Sequence, residues 1–290
     1  MPTPEPAWPR PAEPKFRSGL YEGTADDYDR FRLPYAPGLI DLVRADLALN
    51  ATGLLVDLGA GPGQVARALR PFFEHVVAVD PEPDMVEYGR TRTEREDDGI
   101  EWRLARAEDV EFPSGSVAVV ASGNAFHRFD RPVVAANATR WLSADGVIVV
   151  LWSDGPLGRN EPWQLELSRV VDEWLERSGA GARIPAGCER NDYTDEVVLR
   201  DVGFDRQVEH RLTVRHVWTV ETILGFLHAT SFASRAALQE QIDAFDADVS
   251  DVLLSLEPGG IFGQDVTFGA RLARRSRAAV PSRGQHGRRH

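Results

Sequence analysis

The sequence predicts an open, doubly wound α/β sheet, and three observations carry that expectation. Apolar runs at 54–58, 75–80, 100–105, 116–122 and 146–152 are separated by connections of helix or loop length. Each run is continuous rather than alternating in polarity, which marks a strand covered on both faces and hence a parallel sheet with crossover helices. The first run leads straight into a turn with glycine at 59, 61 and 63, and the carboxyl end of a strand entering a helix is where such sheets offer backbone amides to a ligand.

In chain order, residues 1–18 are proline-rich with little to pack and are expected to form a disordered tail. "TADDYDRF" begins a helix, with Thr24 as N-cap and Asp27 three residues on. The next helix sets Leu39, Val43 and Leu47 on one face. Two helices therefore lead into the first strand, and "GQVARALR" is the helix after the glycine turn. Beyond the run at 146–152, residues 161–177 read as an amphipathic helix with Trp163, Leu167, Val170, Val171 and Trp174 on one side. "DEVVLRDVGF" is a further helix and "RQVEHRLTVRHVW" a strand. Residues 219–257 hold two helical stretches, and "GIFGQDVTFGARLA" forms the last strand. The basic, aperiodic segment 275–290 is expected to be a second disordered tail.

Composition narrows the function classes. A chain of 290 residues with 42% apolar and 27% charged side chains suits one decorated domain or a domain with a cap. No apolar run approaches the ~20 residues of a membrane-spanning helix. The N-terminus has proline and acid where a signal peptide has a basic start and an apolar core, so a cytoplasmic location is expected. Cys188 is the only cysteine, which excludes an internal disulfide and a multi-cysteine zinc site. The seven histidines are scattered, so no metal site is expected. A net charge of −12 argues against nucleic acid as a partner and favours a cationic small molecule through long-range attraction.

The glycine turn narrows the ligand. Asp80 closes a second strand at the distance from Gly59 at which an acid reaches a ribose, which points to an adenosine cofactor. The dinucleotide pattern G-x-G-x-x-G is not met, because the sequence runs G-A-G-P-G-Q and places Gln64 at its last position. No G-K-S/T follows, which excludes a phosphate-binding P-loop.

The pattern D-x-G-x-G-x-G, with Asp57, Gly59, Ala60, Gly61 and Gly63, resembles the first motif of class I S-adenosylmethionine-dependent methyltransferases. "VVAVDPEPDMVEYGR" is similar to their second motif and "ARAEDVEFPSGSVAVVAS" to the next. The resemblance implies a Rossmann-like sheet of seven strands, the last antiparallel, with S-adenosylmethionine as cofactor and S-adenosylhomocysteine as product. It implies that Asp57 orders the loop, Asp80 holds the ribose, Pro81 and Met85 lie near the adenine, and Ala107 and Glu108 recognise its edge. A narrower resemblance, through "YDRFRLPYAPGLIDLV", "GNAFHRFDR" and "VETILGFLHATSFASRAAL", is to bacterial small-molecule methyltransferases including N-methyltransferases of gentamicin-type aminoglycoside pathways. It implies that Tyr28 and Arg32 fold over the methionine tail, with Arg32 on its carboxylate. Arg128 and Phe129 stand where relatives often have other bulky residues.

On this plan residues 19–152 are the core with an N-terminal lid, 153–191 a helical cap insertion, 192–218 core again, 219–257 a second cap insertion and 258–274 the last core strand. Both insertions leave the carboxyl side of the sheet, where substrates bind. His127, in the loop after the fourth strand, is the candidate base, with packing on the cofactor as its other role. Asn124 is a candidate for the methionine amine or the acceptor. Trp152, Asp154, Trp163, Glu221 and His228 are candidate substrate residues. The expected activity is methylation of a small metabolite, first an amine of an amino sugar or aminoglycoside intermediate. The alternatives are O-methylation of a sugar hydroxyl or small carboxylic acid, as in aconitate methyltransferases, and a non-catalytic adenosylmethionine-binding protein.

Overall fold

The computed structural model describes residues 19–47, 53–183 and 192–276. The expected N-terminal tail and Cys188 lie outside them. The elements run α1 (Ala25–Phe31), α2 (Pro37–Leu47), β1 (Leu54–Leu58), α3 (Gln64–Leu69), β2 (His75–Asp80), α4 (Pro83–Glu96), β3 (Glu101–Leu104), β4 (Val117–Gly123), α5 (Arg131–Trp141) and β5 (Leu142–Ser153). They continue with α6 (Pro162–Ser178), α7 (Asp192–Asp201), β6 (Arg206–Thr219), α8 (Val220–His228), α9 (Arg235–Leu238), α10 (Ile242–Leu256) and β7 (Ile261–Arg274).

The seven strands form one sheet in the order β3-β2-β1-β4-β5-β7-β6. All neighbours are parallel except β7, which is antiparallel to both β5 and β6. The chain order reverses between β1 and β4, and their carboxyl ends open a crevice at that point. Alternate residues of β1 face opposite cores: Leu55 packs with Leu39 and Val43 of α2 and Leu69 of α3, while Val56 and Leu58 pack with Val134 and Trp141 of α5 and Leu199 of α7. Each fully buried large side chain, Trp141 and Leu55 among them, contributes roughly 1.5–3 kcal/mol.

A third core lies off the carboxyl ends of the strands. There Trp163 and Trp174 of α6, Phe226 of α8 and Phe245 of α10 close around Trp218 and Phe262. The long β6–β7 pair supports it. Pairing of β5 with β7 ends at Ser153↔Phe268, whereas β6 stays paired to β7 as far as Thr219↔Ile261, so the two-stranded arm projects beyond the sheet into this helical cluster.

The structure corrects four local expectations. Thr24 precedes α1 but its Oγ1 donates to the Tyr21 carbonyl (2.8 Å), so it does not cap the helix with its side chain. β5 begins at Leu142, ahead of the apolar run, because its pairing with β4 starts there and then shifts register. Residues 219–257 hold the short α9 as well as α8 and α10. The C-terminal tail does not begin at 275: Arg275 donates to the Thr139 carbonyl (3.1 Å) and Ser276 Oγ to Asp205 (2.6 Å). The rest of that segment lies outside the described residues. Among the described residues no helix is long and apolar enough to cross a membrane.

Candidate active site

The crevice at the reversal point is a cleft, partly open to solvent, with about 660 Å³ of unfilled space counting that opening. Its floor is the turn after β1. Gly59 and Gly61 have φ of +63° and +54°, which side chains adopt at a cost. A Cβ at Gly59 would lie 2.6 Å from Cβ of Ala125 and 3.0 Å from the Phe129 ring, so what side chains must avoid there is the loop after β4. At Gly63 it is Trp102 and Arg67. Only at Gly61 is the nearest atom distant, the Tyr28 ring at 3.8 Å, and there the space belongs to the cleft.

Acids at the strand ends hold this floor. Asp57, fully buried, accepts from the Ala66 amide (2.9 Å) and so ties β1 to the first turn of α3; burial pushes its pKa up to about 8. Asp80 accepts from the Gly61 amide (2.8 Å) and the Glu82 amide (2.9 Å). Burial raises its pKa to about 6 against the pull of those two bonds, which leaves it ionised above neutrality.

The lid is tied down over one side. Glu82 accepts from the amides of Gly19 and Tyr21 (both 3.1 Å), and Asp84 from Gly23 (2.8 Å). Tyr88 donates to Asp29 (3.0 Å), and Arg92 pairs with the same carboxylate. The Tyr21 and Tyr28 rings stand edge to face over the cleft, 6.4 Å apart. Glu82 itself is buried, which raises its pKa while the lid amides lower it.

The far wall comes from the ends of β3 and β4. Glu108 accepts from the Asp130 amide (2.8 Å) and lies 3.4 Å from Arg106. Asn124 sits at φ +51°, a conformation asparagine tolerates. Its Nδ2 donates to Ser153 Oγ (3.2 Å) and its Oδ1 accepts from the Ser153 amide (3.1 Å). Arg128 lies over the Tyr21 ring at 5.2 Å.

Of the residues singled out in the sequence, Tyr28, Gly59, Gly61, Asp80, Pro81, Met85, Ala107, Glu108 and Asn124 line this one cleft. Asp57, Ala60, Gly63 and Gln64 lie behind the loop; Ala60 donates to the Val79 carbonyl and Gln64 to the Arg32 carbonyl. Arg32 is a correction. Its guanidinium lies between the Phe226 and Tyr28 rings (4.2 and 5.0 Å) and donates to the Ala229 carbonyl (3.1 Å), so it joins the lid to α8 rather than lining the cleft.

His127, half-buried on a single 3₁₀ turn, is not among the lining residues, although Ala125 and Arg128 on either side of it are, while Phe126 is buried in the core beneath. The five substrate candidates also lie elsewhere. Trp152 covers Gly269 and faces Arg211, Asp154 extends the β5–β7 pairing through Thr267, and Trp163 packs on Phe262. Glu221 forms an exposed ion pair with Arg30. His228 is buried between the Ala233 carbonyl (3.1 Å) and Asp246 (3.1 Å). Pairing of β5 with β7 takes Trp152 and Asp154, the third core takes Trp163 and His228, and Glu221 is spent on its exposed ion pair.

Sequence reasoning missed Tyr21, Glu82 and Arg106, and gave Arg128 no role. Tyr21 precedes any periodic segment, and Glu82 reads as an ordinary helix-start acid.

The cleft suits a nucleoside with an amino-acid tail: a carboxylate acceptor for hydroxyls, an apolar platform at Pro81 and Met85, and a glycine floor with room at Gly61. Residues 56–150 match a family model described as a methyltransferase domain. That span is similar to a methyltransferase domain. A Dictyostelium discoideum protein assigned as a methyltransferase is 29% identical over 228 residues, 77% of this chain and 80% of the relative. An uncharacterized methyltransferase of Schizosaccharomyces pombe is 23% identical over 79% of this chain and 85% of its own length. A solved structure from Anaeromyxobacter dehalogenans, assigned as a type II methyltransferase, shares the fold with a TM-score of 0.55 at 24% identity, covering 84% of this chain and 98% of that one. The domain match, the fold and the cleft together support a class I methyltransferase that uses S-adenosylmethionine.

Proposed function

We propose that this methyltransferase methylates a small metabolite in the cleft above Gly61. The observation that carries the proposal is the convergence of Gly61, Asp80 and Tyr28 on one space at the reversal point of the sheet. S-adenosylmethionine, when bound, supplies an electrophilic methyl group and leaves as S-adenosylhomocysteine. Asp80 holds the ribose hydroxyls with lone pairs its two amide bonds leave over. Pro81 and Met85 pack against the adenine, the Ala107 backbone and Glu108 recognise its edge, and Tyr28 covers the loop. Asn124 fixes the end of β4 to Ser153 and so sets the wall beside the tail. The lid and the helical cluster, acting as caps over the core, position the acceptor and exclude water.

For the acceptor, the charge of −12 favours an amine of an amino sugar or aminoglycoside intermediate, drawn in by long-range attraction. O-methylation of a hydroxyl or small carboxylic acid is the second reading, favoured by the two arginines, Arg106 and Arg128, on the cleft wall. Incubation with S-adenosylmethionine and a panel of amines, hydroxyl compounds and carboxylic acids tests both, with released S-adenosylhomocysteine as the readout. Turnover of amines that falls in kcat/KM as salt rises supports the first. Turnover confined to acids or hydroxyl compounds replaces it with the second, and none with any compound favours a binding protein.

A further inference from the structure

Every carboxylate on the cleft wall already has partners. Asp80 is held by two amides, Glu82 by the two lid amides, and Glu108 by the Asp130 amide and Arg106. Arg106 also has a buried nitrogen, Nε, without a hydrogen bond, but its charge is matched by Glu108 at 3.4 Å and Asp109 at 3.9 Å. Arg128 differs. It lines the same cleft, its guanidinium rests on the Tyr21 ring, and its Nη1 is buried without a hydrogen-bond acceptor. No described carboxylate forms an ion pair with it.

A buried guanidinium nitrogen lacking an acceptor is costly, and an anionic oxygen that reaches it is worth more than a neutral one. The planar fork of arginine matches the two oxygens of a carboxylate, and the aromatic face beneath it fixes its plane. Arg32, the arginine that the motif resemblance places on the cofactor's tail, is turned to the Ala229 carbonyl. The structure assigns to Arg128 the recognition of a carboxylate in the cleft. Two ligands carry that chemistry: the amino-acid tail of the cofactor and an acidic acceptor. This inference rests on the proposed cofactor cleft.

Calorimetric titration separates the sources. Wild type, Arg128→Met and Arg128→Lys are titrated with S-adenosylhomocysteine and with 5′-methylthioadenosine, which shares the nucleoside but lacks the tail. If Arg128 holds the tail, Arg128→Met weakens S-adenosylhomocysteine about 10-fold or more and leaves 5′-methylthioadenosine unchanged, with Arg128→Lys in between because it keeps the charge without the fork. If S-adenosylhomocysteine affinity is unchanged, its saturated complex is titrated with benzoate and citrate against benzamide. Carboxylate binding to wild type that disappears in Arg128→Met then assigns the residue to the acceptor.

The inference is overturned by equal losses for both nucleosides, which mark a distorted cleft. It is also overturned when S-adenosylhomocysteine affinity is unchanged and carboxylates bind neither better than the amide nor differently in the variant. Wild type that binds neither nucleoside sinks the cofactor reading instead, and titration of the free protein with the carboxylates then decides Arg128 alone.

Discussion

Replacing Asp80 by Asn separates what this acid does for the ligand from what it does for the fold. Its carboxyl group is buried, and its pKa rises from 3.8 to about 6. A carboxyl whose folded pKa is raised contributes stability that is fully present below the unfolded value and lost as pH rises through the folded one. With 1.36 kcal/mol per pKa unit, the accumulated cost is about 1.6 kcal/mol at pH 5 and about 3 kcal/mol at pH 7.5. The neutral amide of Asp80→Asn escapes this cost, but it offers one acceptor where the acid offered two. The variant should therefore start behind wild type by roughly 1–3 kcal/mol for a lost amide bond and recover about 1.4 kcal/mol between pH 5 and 7.5. Urea unfolding of the ligand-free proteins across that range reads the difference. At pH 7.5, where the wild-type carboxylate is ionised, S-adenosylhomocysteine should bind the variant more weakly by about 2–4 kcal/mol, since charge-assisted bonds to the ribose are lost, and the gap should narrow towards pH 5 as Asp80 takes up its proton. A stability gap independent of pH would refute the burial argument, and unchanged affinity would place the ribose elsewhere.

Gly59→Ala should lose roughly 1–3 kcal/mol of stability, because its Cβ meets Ala125 and Phe129, whereas Gly61→Ala should lose less stability and more S-adenosylhomocysteine affinity; the reverse order in unfolding and calorimetry would misplace the floor of the cleft. His228 carries a raised pKa: burial opposes its charge, and the bonds to Asp246 and Ala233 together with the Asp246 charge outweigh burial. Its stabilisation is full below the unfolded pKa of about 6.5 and lost as pH rises through the higher folded value, so the advantage of wild type over His228→Gln in urea should shrink between pH 6 and 9; a constant advantage counts against an imidazolium. His127→Asn should lower kcat by less than about 10-fold with a ratio to wild type flat in pH, as for a residue behind the wall; a loss of about 10²–10⁴-fold that eases at high pH would restore it as the base.

The parts of the fold that the sequence showed plainly were those with local causes. Continuous apolar runs at β1, β2, β4 and β5 need cover on both faces whatever lies beside them, and the acids and glycines around 57–63 announce a turn at a strand end. What the glycines avoid was not local: Gly59 is kept bare by Ala125 and Phe129, on a loop brought alongside only by the β1–β4 pairing. The direction of Arg32 depends on where α8 packs, and α8 is placed by a two-stranded arm whose length beyond the sheet no periodicity encodes. His228 and Asp246 sit on different helices and read as solvated singles until those helices meet. Glu82 and Arg128 were illegible for a related reason: the lid amides that Glu82 accepts from and the Tyr21 ring under Arg128 come from a segment some sixty or more residues earlier in the chain.

The lid is a crossbar rather than a flap. On one flank α1 is bolted to α4 through Asp29 with Tyr88 and Arg92, and on the other its Phe31 ring presses on Gly225, where a Cβ would lie only 2.3 Å away. A hinge with two bolts swings only when both are drawn, so uncovering the nucleoside must also slacken α8 and the aromatic cluster it anchors. On the proposed cofactor site, the spent nucleoside and the finished product would leave past this same crossbar, and loosening the contact of Phe31 with Gly225 would speed the departure of both together.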